Sequence, residues 1–348
     1  METYTDIFKS FLQVAAGKEK DKTTTALIID SPWLPGYTGT DSIGFFFNIE
    51  KFCQAYENAV NDLPNTAFIP GCWFEFGMAA EPSGWGIRIQ WNKTSPPSVH
   101  HHPGGLAYLV DAEIPNPETD GLMPLILKNY EQYYDVLPIK PQIAAARGPL
   151  ATASHLMGTT EFLMATQCVP DQTQKLLEKT TDMCINWLKA QLNRMPDAKA
   201  ILVLDDIVGL LDPLTSEKMA LPCLRRIFDN FSDLLTIYHN DAPNKSMLAG
   251  LAQTGMNVFN FSHTFDPVKV RQALGKDIVL MGNIAPLNTL VSGSAEQVKQ
   301  ETLKLLDDFD KISPIIISAG GGVSPGTPIE NLKAMENAVI NSDYFKKG

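Results

Sequence analysis

Short apolar runs recur along the chain, and each ends abruptly in glycine, proline or polar residues. Eight of them predict strands: Ala26–Ile29, Ala67–Ile69, Gln142–Ala145, Ala200–Leu204, Leu234–Ile237, Val258–Phe261, Ile278–Met281 and Pro314–Ile317. The runs are continuous and do not alternate with polar positions, which fits strands buried on both faces of a parallel sheet. Between the later runs the spacing changes to that of helices, over Asp171–Arg194, Ser216–Asn230, Asn244–Thr254, Pro267–Leu274, Ser294–Asp307 and Pro328–Asn341. In the first of these, Leu176, Leu177, Thr180, Cys184, Trp187, Leu188 and Leu192 fall along one face, and Asp171 stands where it can cap the start. Cys184 and Trp187 are therefore read as core. Met1–Gly17 carries Ile7, Phe8, Phe11, Leu12 and Val14 at helical spacing. Eight strands with intervening helices predict a single (β/α)8 TIM barrel over residues 1–348, preceded by an N-terminal helical extension.

The second and third runs lie too far apart for one helix. Phe74–Gly86 is rich in glycine, alanine and proline, Ile87–Trp91 alternates like a small strand, and Asn92–Gly105 reads as a loop. This predicts an elaborated loop after strand 2, lying over the barrel mouth, where loops acquire specificity.

Composition narrows the class. With 348 residues and 44% hydrophobic content the chain can bury a large core without metal or disulfide. A formal charge of −11 and a pI near 5.0 argue against nucleic acid and anionic membrane as partners. The five cysteines are dispersed with no Cys-x-x-Cys pair, which points to a reducing, cytoplasmic setting. No apolar stretch is long enough for a signal peptide or a membrane span.

In a barrel of this kind the reactive groups sit where strands end. The residues after the successive runs are Asp30-Ser31-Pro32-Trp33, Cys72-Trp73-Phe74-Glu75, Arg147-Gly148-Pro149, Asp205-Asp206, His239-Asn240-Asp241, Ser262-His263, Gly282-Asn283 and Ala319-Gly320-Gly321-Gly322. Aromatic residues and a single arginine on this rim suit a small substrate that is flat or apolar. Glu75 is too polar for a core position and is read as a site residue. One of Asp205 and Asp206 can serve as a helix cap, and His263 is read as a buried structural histidine. His100-His101-His102 cannot all face one ion, so His102 is the candidate single ligand there. Gly320, Gly321 and Gly322 offer amides to an anion or to the polar edge of a cofactor.

Three segments resemble the uroporphyrinogen decarboxylase superfamily. They are Arg147-Gly148-Pro149 through Gly158, Gly282-Asn283-Ile284-Ala285-Pro286 with Gly293-Ser294, and Gly320-Gly321-Gly322 through Asn331. The resemblance implies the barrel fold and one of several chemistries. The decarboxylases carry an arginine-rich segment after the first strand, whereas Ser31–Tyr37 has none, and of six arginines only Arg147 lies on the rim. Members that methylate a thiol hold zinc with His-x-Cys and a further cysteine in the last glycine turn. Here His239 keeps its place, while Asp241 and Gly321 stand at the cysteine positions.

What the resemblance then implies is the corrinoid-dependent methyltransferase branch, as in anaerobic O-demethylation. A small methyl donor, an aromatic methyl ether among the candidates, gives its methyl group to the cob(I)alamin of a partner corrinoid protein. In that reading His239, Asp241 and Glu75 are catalytic, and His239 and Asp241 are the ligands of a candidate zinc ion. Trp33, Trp73, Phe74, Arg147, Asp205 and Asn283 bind substrate, and Gly320, Gly321 and Gly322 face the cofactor. The alternatives are a decarboxylase, a methylcobamide:thiol methyltransferase and a non-enzymatic corrinoid-binding protein.

Overall fold

A computed structural model describes residues 4–243 and 248–346. Its strands are β1 (Thr25–Ile28), β2 (Thr66–Ile69), β3 (Ile89–Gln90), β4 (Ser98–Val99), β5 (Ile143–Arg147), β6 (Ala200–Leu204), β7 (Leu235–Asn240), β8 (Val258–Phe261), β9 (Val279–Ile284) and β10 (Ile315–Ala319). Eight are parallel neighbours in the order β2-β1-β10-β9-β8-β7-β6-β5, so the sheet wraps round into a barrel with helices outside. Among the described residues no ladder joins β2 to β5, and the long excursion between them carries the antiparallel pair β3–β4. Ile89–Gln90 thus confirms the small strand expected in Ile87–Trp91.

Each strand divides its residues by parity, because successive side chains point to opposite faces. Ala26, Ile28, Ala67, Ile69, Ile143, Ala145, Ala200, Leu202, Ile237, Val258, Val279, Met281 and Ile316 form one buried cluster inside the barrel. Leu27, Phe68, Ala144, Ile201, Val203, Tyr238, Phe259 and Ile317 belong to a second cluster, under the helices. The helix Tyr4–Ala15 sends Ile7, Phe8, Phe11 and Val14 into the inner cluster. The expected extension therefore packs into the barrel interior, and the Tyr4 hydroxyl accepts a hydrogen bond from Phe68 N at 2.8 Å.

Strands continue past the apolar runs, to Arg147 in β5, Asn240 in β7 and Ala319 in β10. Ladder hydrogen bonds come from the backbone and tolerate a polar side chain at the strand end. The helix Pro170–Leu192 buries Cys184 and Trp187 as expected. Its N-cap is Val169, so Asp171 lies in the first turn and favours the helix through the macrodipole without capping it. The stretch predicted as Ser216–Asn230 is split into a π-helical turn, Ser216–Ala220, and an α-helix, Leu221–Asp229. Pro222 sits at the junction and lacks the N–H that a continuous helix needs. Of the helix expected over Asn244–Thr254, residues 244–247 lie outside the described residues and Leu248–Leu251 is helical. Ser294 caps Ala295–Asp307 in a reciprocal box with Gln297. No helix among the described residues is long and apolar enough to cross a membrane.

Candidate active site

Counting two residues beyond the inner cluster predicts which side chains the barrel mouth receives. Ile28 leads to Asp30, Ala145 to Arg147, Leu204 to Asp206, and Ile237 to His239 and then Asp241. A cavity of about 350 Å³ opens there, lined by Asp30, Glu75, Arg147, Asp206, His239 and Gly322 among others. A slightly larger cavity, about 380 Å³, lies off the barrel axis between Pro267–Leu274 and Ala295–Asp307. We take the first as the site, because strand ends from both halves of the barrel converge on it.

One wall is a buried ionic corner. Arg147 Nη2 donates to Glu75 Oε2 at 3.0 Å and to Gly77 O at 3.3 Å. The Arg147 guanidinium lies 5.0 Å from the Trp73 ring centroid, a cation–π contact. Glu75 Oε1 accepts from Ser31 N at 2.8 Å. Glu81 Oε1 accepts from Arg147 N at 2.8 Å, and burial raises the Glu81 carboxyl against the pull of Arg147. Phe76, at φ +50, takes a left-handed conformation rare for a bulky side chain. Its ring stacks on Phe46, 4.9 Å away, which holds the bend beside Glu75 in place.

Asp30 completes the corner, half-buried against the cavity. Burial, then the charge of Glu75, push its carboxyl well above the usual carboxylate range, with Arg147 opposing. His155 also lines this wall. Burial, then Arg147 and His101, push its imidazole down to about 4, so the ring is neutral at pH 7.

The facing wall holds Asp206, His239 and Asp241, whose ligand atoms all lie within 4.8 Å of one another. In-register pairing of Leu204 with His239 brings them together. Asp206 Oδ1 is 3.5 Å from His239 Nε2 and accepts from Asp241 N at 2.9 Å. Asn260, opposite His239 in the β7–β8 ladder, places Oδ1 2.6 Å from His239 Nδ1. Asn260 Nδ2 donates to Met281 O and Ala319 O, which fixes Oδ1 as the acceptor. His239 Nδ1 therefore carries a proton, an assignment from the network, and Nε2 is turned toward Asp206.

Burial, then the charge of Asp206, raise the Asp241 carboxyl. Two carboxylates and an imidazole nitrogen around one point could hold a divalent cation. Three protein ligands of N/O type resemble the ligand count of catalytic zinc sites. Gly321, at φ +144, lets the last turn approach this triad. A Cβ built at Gly321 would lie 2.7 Å from Asp241 Oδ2.

Several expectations are corrected. Asp205 is fully buried and accepts from Leu150 N and Ala151 N at 2.9 Å each. It supplies the N-terminal cap that Gly148 cannot give to Pro149–Met157, so the mouth receives Asp206 instead. Trp33 is buried against Tyr37 and donates to Thr327 O, away from the cavity lining. Phe74 stacks on Phe52 and lines a separate aromatic cavity of about 260 Å³. Trp73 points inward but lies beneath Arg147, not against substrate space. Glu75 is locked by Arg147 and the Ser31 amide, so it is not a free acid.

Asn283 donates to Ser262 O and Phe265 O, and it lines the off-axis cavity beside His263, which is exposed and not the buried residue expected. Gly320 packs against His263, where a Cβ would come within 2.5 Å of the backbone nitrogen, so it serves packing. His102 Nδ1 accepts from Gly104 N and its ring stacks on Tyr108, so it is not available to a metal through that nitrogen. Arg147, His239, Asp241, Gly321 and Gly322 fall at the mouth as expected. Parity from Ala200, Leu202 and Leu204 was the signal for Asp206; His155, on the helix after β5, had none.

The family model for uroporphyrinogen decarboxylase (URO-D) matches residues 47–342. A methylated-thiol–coenzyme M methyltransferase of Methanosarcina mazei is 27% identical, over 76% of this chain and 70% of its own length. A methylcobamide:CoM methyltransferase of the same organism is 28% identical, over 78% and 79%. A uroporphyrinogen decarboxylase of Carboxydothermus hydrogenoformans is 25% identical, over 74% of each. Among solved structures, a methyltransferase from Methanosarcina mazei superposes with a TM-score of 0.80 at 20% identity, covering 97% of this chain and 99% of that one.

Proposed function

Because the chain belongs to the uroporphyrinogen decarboxylase family, we propose that it is a corrinoid-dependent methyltransferase. It takes a methyl group from a small donor held in the barrel mouth and passes it to cob(I)alamin on a partner corrinoid protein. The observation that carries this reading is the state of Arg147. It is the one arginine lining the mouth, and its Nη2 is held by Glu75 at 3.0 Å, so a substrate with many carboxylates would meet a single cation whose charge is already balanced. A porphyrinogen substrate needs that positive charge. The cavity of about 350 Å³ is near the lower limit for small-molecule sites, which suits a donor the size of a methyl ether and not an enclosed macrocycle. The corrinoid is then presented from outside, by its own protein.

Asp206, His239 and Asp241 would hold a metal such as zinc, which supplies Lewis acidity toward a donor heteroatom. The chain's own part is to orient the donor and to exclude water from the mouth. Asn260 keeps the His239 tautomer and ring fixed. With Asp241 and Gly321 where thiol-methylating relatives carry cysteines, the hard ligand set favours an oxygen- or nitrogen-bound methyl group over thiol activation.

The test mixes the protein with a cob(I)alamin-loaded partner and candidate methyl ethers or methylamines. Methylated corrinoid is expected only when all three are present. His239→Ala should slow transfer, because it removes a ligand of the metal that would polarise the donor heteroatom. The loss should be smaller for donors with acidic leaving groups. Release of carbon dioxide from a carboxylated substrate, with no methyl transfer from any donor, would overturn the reading in favour of a decarboxylase.

A further inference from the structure

We propose that Asp30 is the proton donor to the departing oxygen of a methyl ether, an assignment that rests on the methyl-transfer reading above. The geometry comes from how one cation is shared among acids. In the corner of Asp30, Glu75 and Arg147, the guanidinium bonds Glu75 Oε2 and the other Glu75 oxygen takes the Ser31 amide. Both Glu75 oxygens are used and the cation is compensated. Asp30 immediately precedes Ser31, lines the cavity and receives no hydrogen bond to its carboxyl from the described residues. Its charged neighbours are Glu75, in the loop that follows β2, and Arg147, at the end of β5; a second negative charge there would have no counter-ion of its own.

A carboxyl that keeps its proton in the cavity wall is an acid ready to act, and burial together with the Glu75 charge shifts Asp30 in that direction. The bookkeeping of the step closes. The carbon–oxygen bond of the ether breaks and its electron pair stays on oxygen. The electron pair of cob(I)alamin on the partner protein forms the new bond to the methyl carbon, reducing power passing from the acceptor to the ether. The Asp30 proton moves to the leaving oxygen, giving an alcohol or phenol, and Asp30 is left as carboxylate. The donor class follows. A neutral ether with a basic leaving oxygen needs this proton, whereas sulfonium and quaternary ammonium donors leave without one.

The experiment has two readouts on the full chain. Infrared and carbon-13 NMR spectra of aspartate-labelled protein should show a carboxylic-acid signal persisting well above pH 4, the ordinary range for aspartate being about 3.9. The component of that signal distinct from buried Asp205, whose carboxyl burial pushes up to about 8, should be absent in Asp30→Asn, and Glu75→Gln should move its titration to lower pH by removing the negative neighbour. With the loaded partner and aryl methyl ethers of graded phenol acidity, Asp30→Asn should slow the least acidic phenol by about 10²–10⁴-fold. The most acidic should hardly change, and Asp30→Glu should restore part of the rate.

Equal slowing across the series, or no acid component lost in Asp30→Asn at neutral pH while the wild type transfers methyl groups, overturns Asp30 as the donor. Failure of the wild type to transfer from any ether overturns the methyl-transfer reading and the donor role together; an acid signal that survives this shows that the reaction was misread and not the protonation.

Discussion

The two walls of the barrel mouth solve the same electrostatic problem in different ways. Each gathers carboxylates beside the cavity, the first around buried Glu75 and Arg147 and the second on half-exposed Asp206 and exposed Asp241, so an uncompensated charge is more expensive in the first. The Asp30–Glu75–Arg147 wall carries its cation in the sequence, and the guanidinium is held on a fixed carboxylate with a ring beneath it. The Asp206–His239–Asp241 wall has no lysine or arginine in its triad and turns His239 Nε2 toward its acids. A wall with an internal counter-ion is a rigid scaffold. A wall without one has room for a ligand that brings positive charge.

The sharpest way to break this contrast is to remove the internal partner. Glu75→Ala should cost about 3 kcal/mol by chemical denaturation, near the lower end of the range for broken buried pairs because Asp30 can take over as counter-ion to Arg147. A cost under 1 kcal/mol would mean that the corner is not held by charge. Next comes the other wall. Asn260→Ala should weaken zinc binding about 10- to 100-fold in a competition titration, since His239 loses the acceptor that sets its tautomer. Unchanged affinity would show that the triad is not the site.

A third comparison uses pH. The Asp30 carboxyl is raised in the folded state, so the folded protein holds that proton more tightly than the unfolded chain. Its contribution to stability is full below the unfolded value of about 3.9 and is lost as pH rises through the higher folded value. Asp30→Asn should therefore flatten the fall in stability with rising pH relative to the wild type, measured by denaturant titrations across the range. An identical slope would place the Asp30 proton in solvent. The smallest effect is expected at Asp206, which is half-exposed. Asp206→Asn should leave stability within about 0.5 kcal/mol while abolishing tight zinc binding. A large loss of stability there would make the second wall a scaffold too.

The eight strands were legible because buried parallel strands need continuous apolar residues, and each run ended in glycine, proline or polar residues. The helix at Pro267–Leu274 was read to the residue, with Pro267 at its start and Gly275 after its end marking the limits. His239 and Asp241 were legible as a pair, since residues two apart on one strand share a face. The same parity separates Asp206 from Asp205, and Glu75 from Phe74 and Phe76, and it was the signal that a reading by residue type alone passed over.

Residue type led instead to Trp33 and Phe74, whose aromatic surface is satisfied by Tyr37 and Phe52 in the outer layer. Sequence by itself therefore determined the elements and the face of each strand, because both follow from local periodicity. Only the tertiary structure decided which strand ends meet. Asp206 reaches Asp241 because Leu204 pairs with His239, and Arg147 reaches Glu75 although the chain between them runs through the whole β3–β4 excursion. Register and closure are set by the summed packing of the barrel, and no single stretch of sequence contains that sum.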